Sequence, residues 1–219
     1  MRRVTKSIRR KLAIVLLVTL VVTSFVACWP PPGPYTLTRF EPDRIASLEV
    51  DMWKAYYDKQ RVRLFALLVT MLREQYGYSW ARAVQAGAYL ARSASTFSNL
   101  RGDYDRVLPD LESAFVVTRD WTHASFDPNA AARAELAWWV ARRTEGQSDV
   151  ETVGHRIGEA YAVLYGVPLE RVAEAGRLRA EAAHLRDSQP RDPDWARIHA
   201  LLQQSFRSLK SAVTNPGGA

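Results

Sequence analysis

The chain has 219 residues, 47% of them hydrophobic, and a formal net charge of +7. This charge is concentrated at the N-terminus, because six cations lie before residue 12 and the first acidic residue is Glu41. Residues 28–219 carry the other 24 basic side chains against 23 acidic ones, so their net charge is only +1. That balance excludes the long basic surface by which proteins bind nucleic acids.

The N-terminal segment predicts a secretion signal or a membrane anchor. An uncharged run of 17 residues, from Leu12 to Cys28, follows the cations Arg2, Arg3, Lys6, Arg9, Arg10 and Lys11. Because such cations stay on the cytoplasmic side of a membrane, the run predicts that the residues after it face the periplasm or the cell exterior. A helix of this length is about 26 Å long, slightly shorter than a hydrocarbon core. Length alone therefore does not distinguish a cleaved signal peptide from a retained anchor.

A lipid attachment site is predicted at the end of this run. The residues Phe25-Val26-Ala27-Cys28 resemble the lipobox of bacterial lipoproteins, in which a small residue precedes a cysteine that is lipidated and becomes the new N-terminus. Ala27 and Cys28 fit that pattern, whereas Phe25 stands where leucine is usual. The resemblance implies cleavage before Cys28 and lipidation of its thiol. The alternative is an uncleaved helix over residues 1–28 in which Cys28, the only cysteine of the chain, is one more small apolar residue.

Residues 29–40 are predicted to be a proline-rich spacer. The stretch from Trp29 to Pro34 reads WPPPGP, and four prolines in six residues remove backbone donors and favour an extended chain. We expect this spacer to hold the folded part of the protein off the membrane. Trp29, directly after the apolar run, has the polar-tipped aromatic ring that favours the interface between lipid and water.

Residues 41–213 are predicted to form one all-α domain, a compact bundle of about seven helices. Ala, Leu, Arg and Glu are abundant, and alternating runs of β-branched residues are rare. Proline, glycine and capping residues place the helices at 41–76, 79–100, 105–121, 127–145, 148–165, 168–187 and 192–213. Their short connections favour antiparallel neighbours. Residues 214–219 are predicted to be a disordered tail.

The first of these helices is predicted to be the centre of the bundle. Proline and acidic residues at 41–43 begin it, and Gly77 ends it. Residues 64–72, LFALLVTML, carry no charge on any side, and a helix that is apolar all round is buried all round. We therefore expect one long central helix on which the other helices pack.

One pair of side chains has the spacing of metal ligands. Glu181 and His184 are three residues apart, so they lie on the same face of their helix. The spacing is similar to the Glu-x-x-His of ferritin-like carboxylate proteins, in which glutamates from other helices complete the site, and Glu49 is a candidate for one of them. A second Glu-x-x-His is absent from the sequence. The alternative is an ordinary ion pair between Glu181 and Arg177, one turn away.

Two functions are compatible with these patterns. The sequence contains no His-Glu-x-x-His, Gly-x-Ser-x-Gly or phosphate-binding loop, and it assigns no catalytic residue and no cofactor. The first hypothesis is a non-enzymatic, membrane-tethered protein of the bacterial envelope that binds a partner protein or a ligand. The alternative is a ferritin-like, carboxylate-bridged metal enzyme of the same compartment.

Overall fold

The computed structural model describes residues 2–214, without the side chains of residues 2–11, 13 and 25. All regular elements of this part of the chain are helical, which confirms the all-α class. The α-helices are α1 (Arg2–Cys28), α2 (Pro42–Tyr57), α3 (Arg61–Tyr76), α4 (Trp80–Asn99), α5 (Leu108–Thr122), α6 (Pro128–Arg143), α7 (Val150–Tyr165), α8 (Leu169–Ser188) and α9 (Trp195–Thr214). A 3₁₀ turn, Tyr104–Val107, leads into α5. Of the predicted tail 214–219, Thr214 ends α9 and the other residues lie outside the described part.

Helices α2 to α9 form a closed ring in the order of the chain. Each helix packs on the next one, and α9 returns to pack on α2. The largest buried cluster joins α2, α7, α8 and α9 around side chains such as Ile45, Val172, Ile198 and Leu202. A second cluster joins α3, α4 and α5 around Tyr78. The compact bundle is thus confirmed, with eight helices in the described part of the body where about seven are expected.

The predicted long helix over 41–76 is wrong, because a turn divides it into α2 and α3. The backbone of Lys59 is left-handed, with φ 58°. The amide of Gln60 donates to the carbonyl of Ala55, and the amide before it donates to the carbonyl of Tyr56. This is the Schellman pattern that ends a helix, and its left-handed position usually holds glycine. Since a lysine occupies that position, neither glycine nor proline marks the break in the sequence.

The apolar segment 64–72 does not lie at the centre of the bundle, so this prediction is also wrong. Helix α3 buries only Val69, Leu72 and Tyr76, and Ala66 is exposed to solvent. The reason is its place in the ring: α3 packs on α2 along one side and on α4 along another. The remaining side is uncovered, and the apolar residues there are partly exposed.

The described helix with the most buried residues is α8, although its sequence is rich in charge. Eight of its 20 residues are buried, and it packs extensively on α7 and α9. Glycines bring α7 and α8 together. A Cβ atom on Gly176 would lie 2.7 Å from the backbone nitrogen of Gly158 and against the carbonyl oxygen of Gly154. Direct backbone contact of this kind lets a helix with few large side chains pack densely.

Side-chain caps begin several of these helices. Ser79 caps α4 and Asp127 caps α6, each by accepting a backbone hydrogen bond, which confirms the starts predicted at these residues. Asp149, not Ser148, caps α7. Helix α9 begins later than predicted, because Asp194 accepts the capping bond and the residues before it lie outside the helix.

Helix α1 keeps its apolar side chains exposed. Ten large aliphatic side chains between Leu12 and Val26 are each at least 52% exposed. None of the helices in the described part of the chain combines the length and the apolar character that a membrane crossing requires.

Residues 29–41 contain no helix, and they fold against the body. The guanidinium group of Arg39 donates to the carbonyl of Pro34 over 3.2 Å. The Tyr35 ring packs on Trp121 of α5 at a centroid distance of 5.1 Å. Leu37 of the spacer belongs to the buried cluster of α3, α4 and α5, and the end of α1 lies close to α4.

Candidate functional site

A partly open cleft lies where the ends of α6, α7 and α8 meet. Its volume is about 310 Å³. Small apolar side chains form its floor and polar side chains its rim; the lining residues are Arg142, Ser148, Val153, Ala180, Ala183, His184, Asp187 and Ser188. We call it the α6–α8 cleft. An apolar floor with a few polar groups is the usual composition of a ligand site.

An ion pair between Arg142 and Asp187 forms one wall of the cleft. Nη2 and Nε of Arg142 lie 2.8 and 3.0 Å from Oδ2 of Asp187. The hydroxyl of Tyr57 donates to Oδ1 of Asp187 over 2.9 Å. Burial is the main reason why the pKa of Tyr57 is raised, so this hydroxyl keeps its proton at neutral pH. These bonds join α2, α6 and α8 and fix the guanidinium group at the edge of the cleft.

The rim also carries His184, one of the metal ligands that the sequence suggests. Its side chain is exposed at the edge of the cleft, which Ser148 and Ser188 also line. Imidazole and hydroxyl groups both donate and accept hydrogen bonds. The rim can therefore hold a polar group of a ligand while an apolar part rests on Ala180 and Ala183.

A second ion pair, between the buried Glu49 of α2 and the partly buried Arg179 of α8, lies between these two helices. Nε and Nη2 of Arg179 donate to Oε1 of Glu49 over 2.9 and 2.7 Å. The two side chains are 4% and 21% exposed, Glu49 being the more buried. Burial by itself would lower the pKa of Arg179, but the acidic groups around the guanidinium, Glu49 first among them, together outweigh burial and raise it. The guanidinium group of Arg179 therefore stays charged, and its hydrogen bonds to Glu49 tie α2 to α8.

Aromatic side chains enclose this ion pair. The guanidinium carbon of Arg179 lies 5.2 Å from a ring centre of Trp138, and Nη1 of the same arginine is 3.4 Å from the hydroxyl of Tyr161. Burial raises the pKa of Tyr161 to about 12, although the nearby arginine opposes the shift. Oε2 of Glu49 and Nε1 of Trp138 are buried and have no hydrogen-bond partner among the described residues. Because the pair is enclosed, we interpret its role as structural.

Sequence reasoning does not find Arg179 or Arg186 as core residues. They are seven residues apart, on the face of α8 that carries the buried Val172 and Ala175; Arg186 is buried and Arg179 is partly buried. Arg186 is 6% exposed, and its guanidinium carbon lies 3.4 Å from the ring centre of Tyr57. Their helical spacing with the apolar residues is the signal that could have found them. A charged residue in such a pattern is normally assigned to the solvent side, which hides it.

The structure does not bring the three metal-ligand candidates together. Nη1 of Arg177 donates to Glu181 over 3.0 Å, in agreement with the alternative of an ordinary ion pair. Glu181 and His184 lie on the side of α8 roughly opposite to Arg179, which holds Glu49. Within the described residues, no three His, Cys, Asp or Glu side chains are close enough to share a metal ion.

Cys28, the predicted lipidation residue, is the last residue of α1 and is exposed. The non-helical segment that follows begins at Trp29, whose side chain is 63% exposed. The thiol of Cys28 is therefore accessible to modification at the boundary between α1 and the body.

Comparison with models of known protein families, with curated protein sequences and with solved structures gives no significant match to this chain. Its function is therefore inferred from its own residues and geometry. The two features that bear on its function are the exposed apolar surface of α1 and the α6–α8 cleft.

Proposed function

We propose that this protein is a membrane-tethered, extracytoplasmic helical bundle that binds a partner protein or a small ligand and catalyses no reaction. One observation carries the proposal: ten large aliphatic side chains of α1 are at least 52% exposed. Exposed apolar area is unfavourable in water by about 25 cal/mol per Å², and a bilayer would cover it. The cations that precede the run would orient the body to the outer side of the membrane.

The tether has two possible forms. In one, the uncharged run from Leu12 to Cys28 stays in the bilayer as a helix. In the other, the chain is cleaved before Cys28 and a lipid on its thiol holds the body at the membrane. Both forms attach the body at the same point, since the spacer packs on α5 through Tyr35 and on the buried cluster of α3, α4 and α5 through Leu37.

We propose the α6–α8 cleft as the binding site. The charge of Arg142 at its rim is balanced by Asp187. A balanced rim favours a neutral or zwitterionic group over a bare anion, because a bare anion would have to compete with Asp187 for the guanidinium group. The apolar floor would contact a small aliphatic part of the ligand or of a partner's side chain.

The tether is tested by comparing the full chain with a Leu16→Arg variant. Leu16 is 69% exposed, so this change leaves the fold intact. The full chain should remain with the membranes after an alkaline wash. The variant should be released, because a cation at the centre of a span costs about 2.5–3.5 kcal/mol. A full chain found among the soluble proteins would contradict the tether. The intact mass of the membrane-bound protein then distinguishes a lipidated chain that begins at Cys28 from an uncleaved one.

The binding site is tested by photo-crosslinking in the cell envelope. A crosslinking residue at His184 should give adducts of discrete mass. The matched control is the same residue at His155, a histidine of α7 that is exposed and outside the cleft. Equal adducts at both positions, or none at His184, would contradict the assignment of the cleft.

A further inference from the structure

The end of α1 and the body share a second cleft, which we call the N-terminal cleft. Its volume is about 480 Å³, and it is lined by Val26, Trp29, Arg73, Trp80 and the prolines 30–32. Val26 belongs to α1, Arg73 to the end of α3, and Trp80 to the start of α4. A surface that covers the apolar side chains of α1 would therefore continue onto this end of the body.

Two exposed tryptophans stand at the rim of this cleft. Trp29 is 63% exposed and Trp80 is 41% exposed. Tryptophan is enriched where lipid meets water, because its ring is apolar and its N–H remains hydrogen-bonded. On the same face of α4, one turn further, Val84 is 46% exposed. The start of α4 thus presents apolar side chains next to α1.

Arg73 packs on Trp80, Arg39 lies beside Gly77 in the α3–α4 turn, and Arg82 follows in the first turn of α4. Among the described residues, the hydrogen-bond acceptors of these three arginines are uncharged. The guanidinium carbon of Arg73 lies 4.6 Å from the ring centre of Trp80, and its Nη1 donates to the carbonyl of Tyr78 over 2.7 Å. Arg39 donates to proline carbonyls, and Arg82 donates to the amide oxygen of a glutamine. The positive charges of these three arginines are therefore not balanced by the acceptors they contact. Anionic headgroups are the complementary surface.

We propose that Trp29, Trp80 and Arg73 rest on the headgroups of a bilayer that contains anionic phospholipid, so that the α3–α4 turn faces the membrane. This inference rests on the proposed tether and adds an orientation to it. The α6–α8 cleft is built from other helices and does not include any residue of this rim. The membrane contact and the proposed binding site are therefore separate surfaces.

The test places a fluorescent label at two positions of α4 in the full chain. The chain is used uncleaved, so that the apolar run Leu12 to Cys28 tethers it without a lipid on the thiol. A Cys28→Ser background removes the only cysteine, and single Val84→Cys and Ser98→Cys variants then carry the label. Both positions are exposed and lie on nearly the same face of α4, about 21 Å apart along its axis. Each protein is reconstituted into phosphatidylcholine vesicles with and without phosphatidylglycerol, and lipids with a headgroup-depth quencher report contact.

The proposal predicts strong quenching of the label at residue 84 and little quenching at residue 98, with a larger difference when phosphatidylglycerol is present. Arg73→Gln should reduce the equilibrium constant for docking about fivefold, the equivalent of about 1 kcal/mol for one cation at an anionic surface. Trp80→Ala should reduce it as well. In both variants the protein should still float with the vesicles, because the tether is unchanged.

Failure of the tether and failure of this inference give different results. If neither the uncleaved chain nor the protein extracted from membranes with Cys28 in place floats with vesicles, both are overturned. If the chain floats but the two labels are quenched equally, the tether stands and the orientation is wrong. The same holds if, without lipid, the label at residue 84 becomes shielded from a water-soluble quencher only at high protein concentration. In the latter case a second copy of the chain, not lipid, covers the rim.

Discussion

Helices α3 and α8 differ in burial in the opposite sense to what their sequences suggest. The middle of α3 reads LFALLVTML without a charge, yet only three of its 16 residues are buried. Helix α8 has charged residues along its whole length, yet eight of its 20 residues are buried. Burial in this bundle therefore follows the place of a helix in the ring and the closeness of its neighbours more than the number of apolar residues in the helix.

The closeness of α8 to its neighbours comes from small residues. At Gly176 of α8, backbone atoms of α7 occupy the space that a Cβ atom would need. The two arginines on the buried face of α8 are accommodated by a carboxylate and by aromatic rings. Helix α3 contains no glycine and none of its arginines is buried. Its uncovered apolar side lies in the same helical hairpin as the rim that we assign to the membrane.

The largest expected effect tests the buried ion pair of α8. Glu49→Leu should destabilise the fold by about 3–4 kcal/mol, because it leaves Arg179 largely buried without its partner. The matched control is Glu74→Leu on α3, which removes an exposed pair with Arg44 and should cost less than about 1 kcal/mol. Urea denaturation measures both. In the double variant Glu49→Leu, Arg179→Leu much of the stability should return, and a double variant as unstable as the single one would contradict the electrostatic explanation.

A pair of identical substitutions tests the difference between the two helices most simply. Leu178→Ala on α8 should cost about 3 kcal/mol, because Leu178 is 6% exposed and its removal leaves a cavity. Leu67→Ala on α3 should cost about 1 kcal/mol, because that side chain is only partly buried. The two losses are compared by measuring the free energy of unfolding of each variant. Equal losses would mean that α3 is as central as its sequence suggests.

The close contact of α7 and α8 is tested at its glycines. Gly176→Ala should destabilise the protein by about 2 kcal/mol, since the new methyl group would collide with backbone atoms that cannot rotate away. Gly102→Ala is the control, because nothing lies within 4 Å of a Cβ atom at that position. Its thermal midpoint should match that of the unmodified chain. A tolerated Gly176→Ala would show that the two helices are further apart.

The smallest effect concerns the break between α2 and α3. Lys59→Gly should stabilise the fold by about 0.5 kcal/mol, because glycine adopts the left-handed backbone of residue 59 without the steric cost that lysine has. Lys59→Ala should give no such gain. If Lys59→Gly instead destabilises the protein, the turn does not have the left-handed geometry and a continuous helix regains support.

Local signals in the sequence predict most helix ends correctly. Ser79 and Asp127 are caps, and Gly77 and Gly166 end their helices in left-handed conformations. Each of these signals acts within one turn of the chain, so it can be found without knowing the fold. The break at Lys59 has no such signal, because the usual glycine is missing.

The candidate site could be predicted only in part. His184 is found by its spacing to Glu181, but it lies at the rim of the α6–α8 cleft and not beside Glu49. The ion pair of Arg142 with Asp187 joins residues 45 positions apart. A contact over that separation depends on how α6, α7 and α8 pack, and the residue types at these positions do not reveal it.

The central claim is that the apolar surface of α1 places the helical body on the outer side of a membrane. It is tested most directly by a C-terminal fusion of the full chain to a phosphatase that needs disulfide bonds, which form outside the cytoplasm and not within it. We expect an active phosphatase in this fusion and an inactive one in the Leu16→Arg variant. An inactive fusion of the unmodified chain, together with a fluorescent cytoplasmic reporter that works at the same position, would contradict the claim.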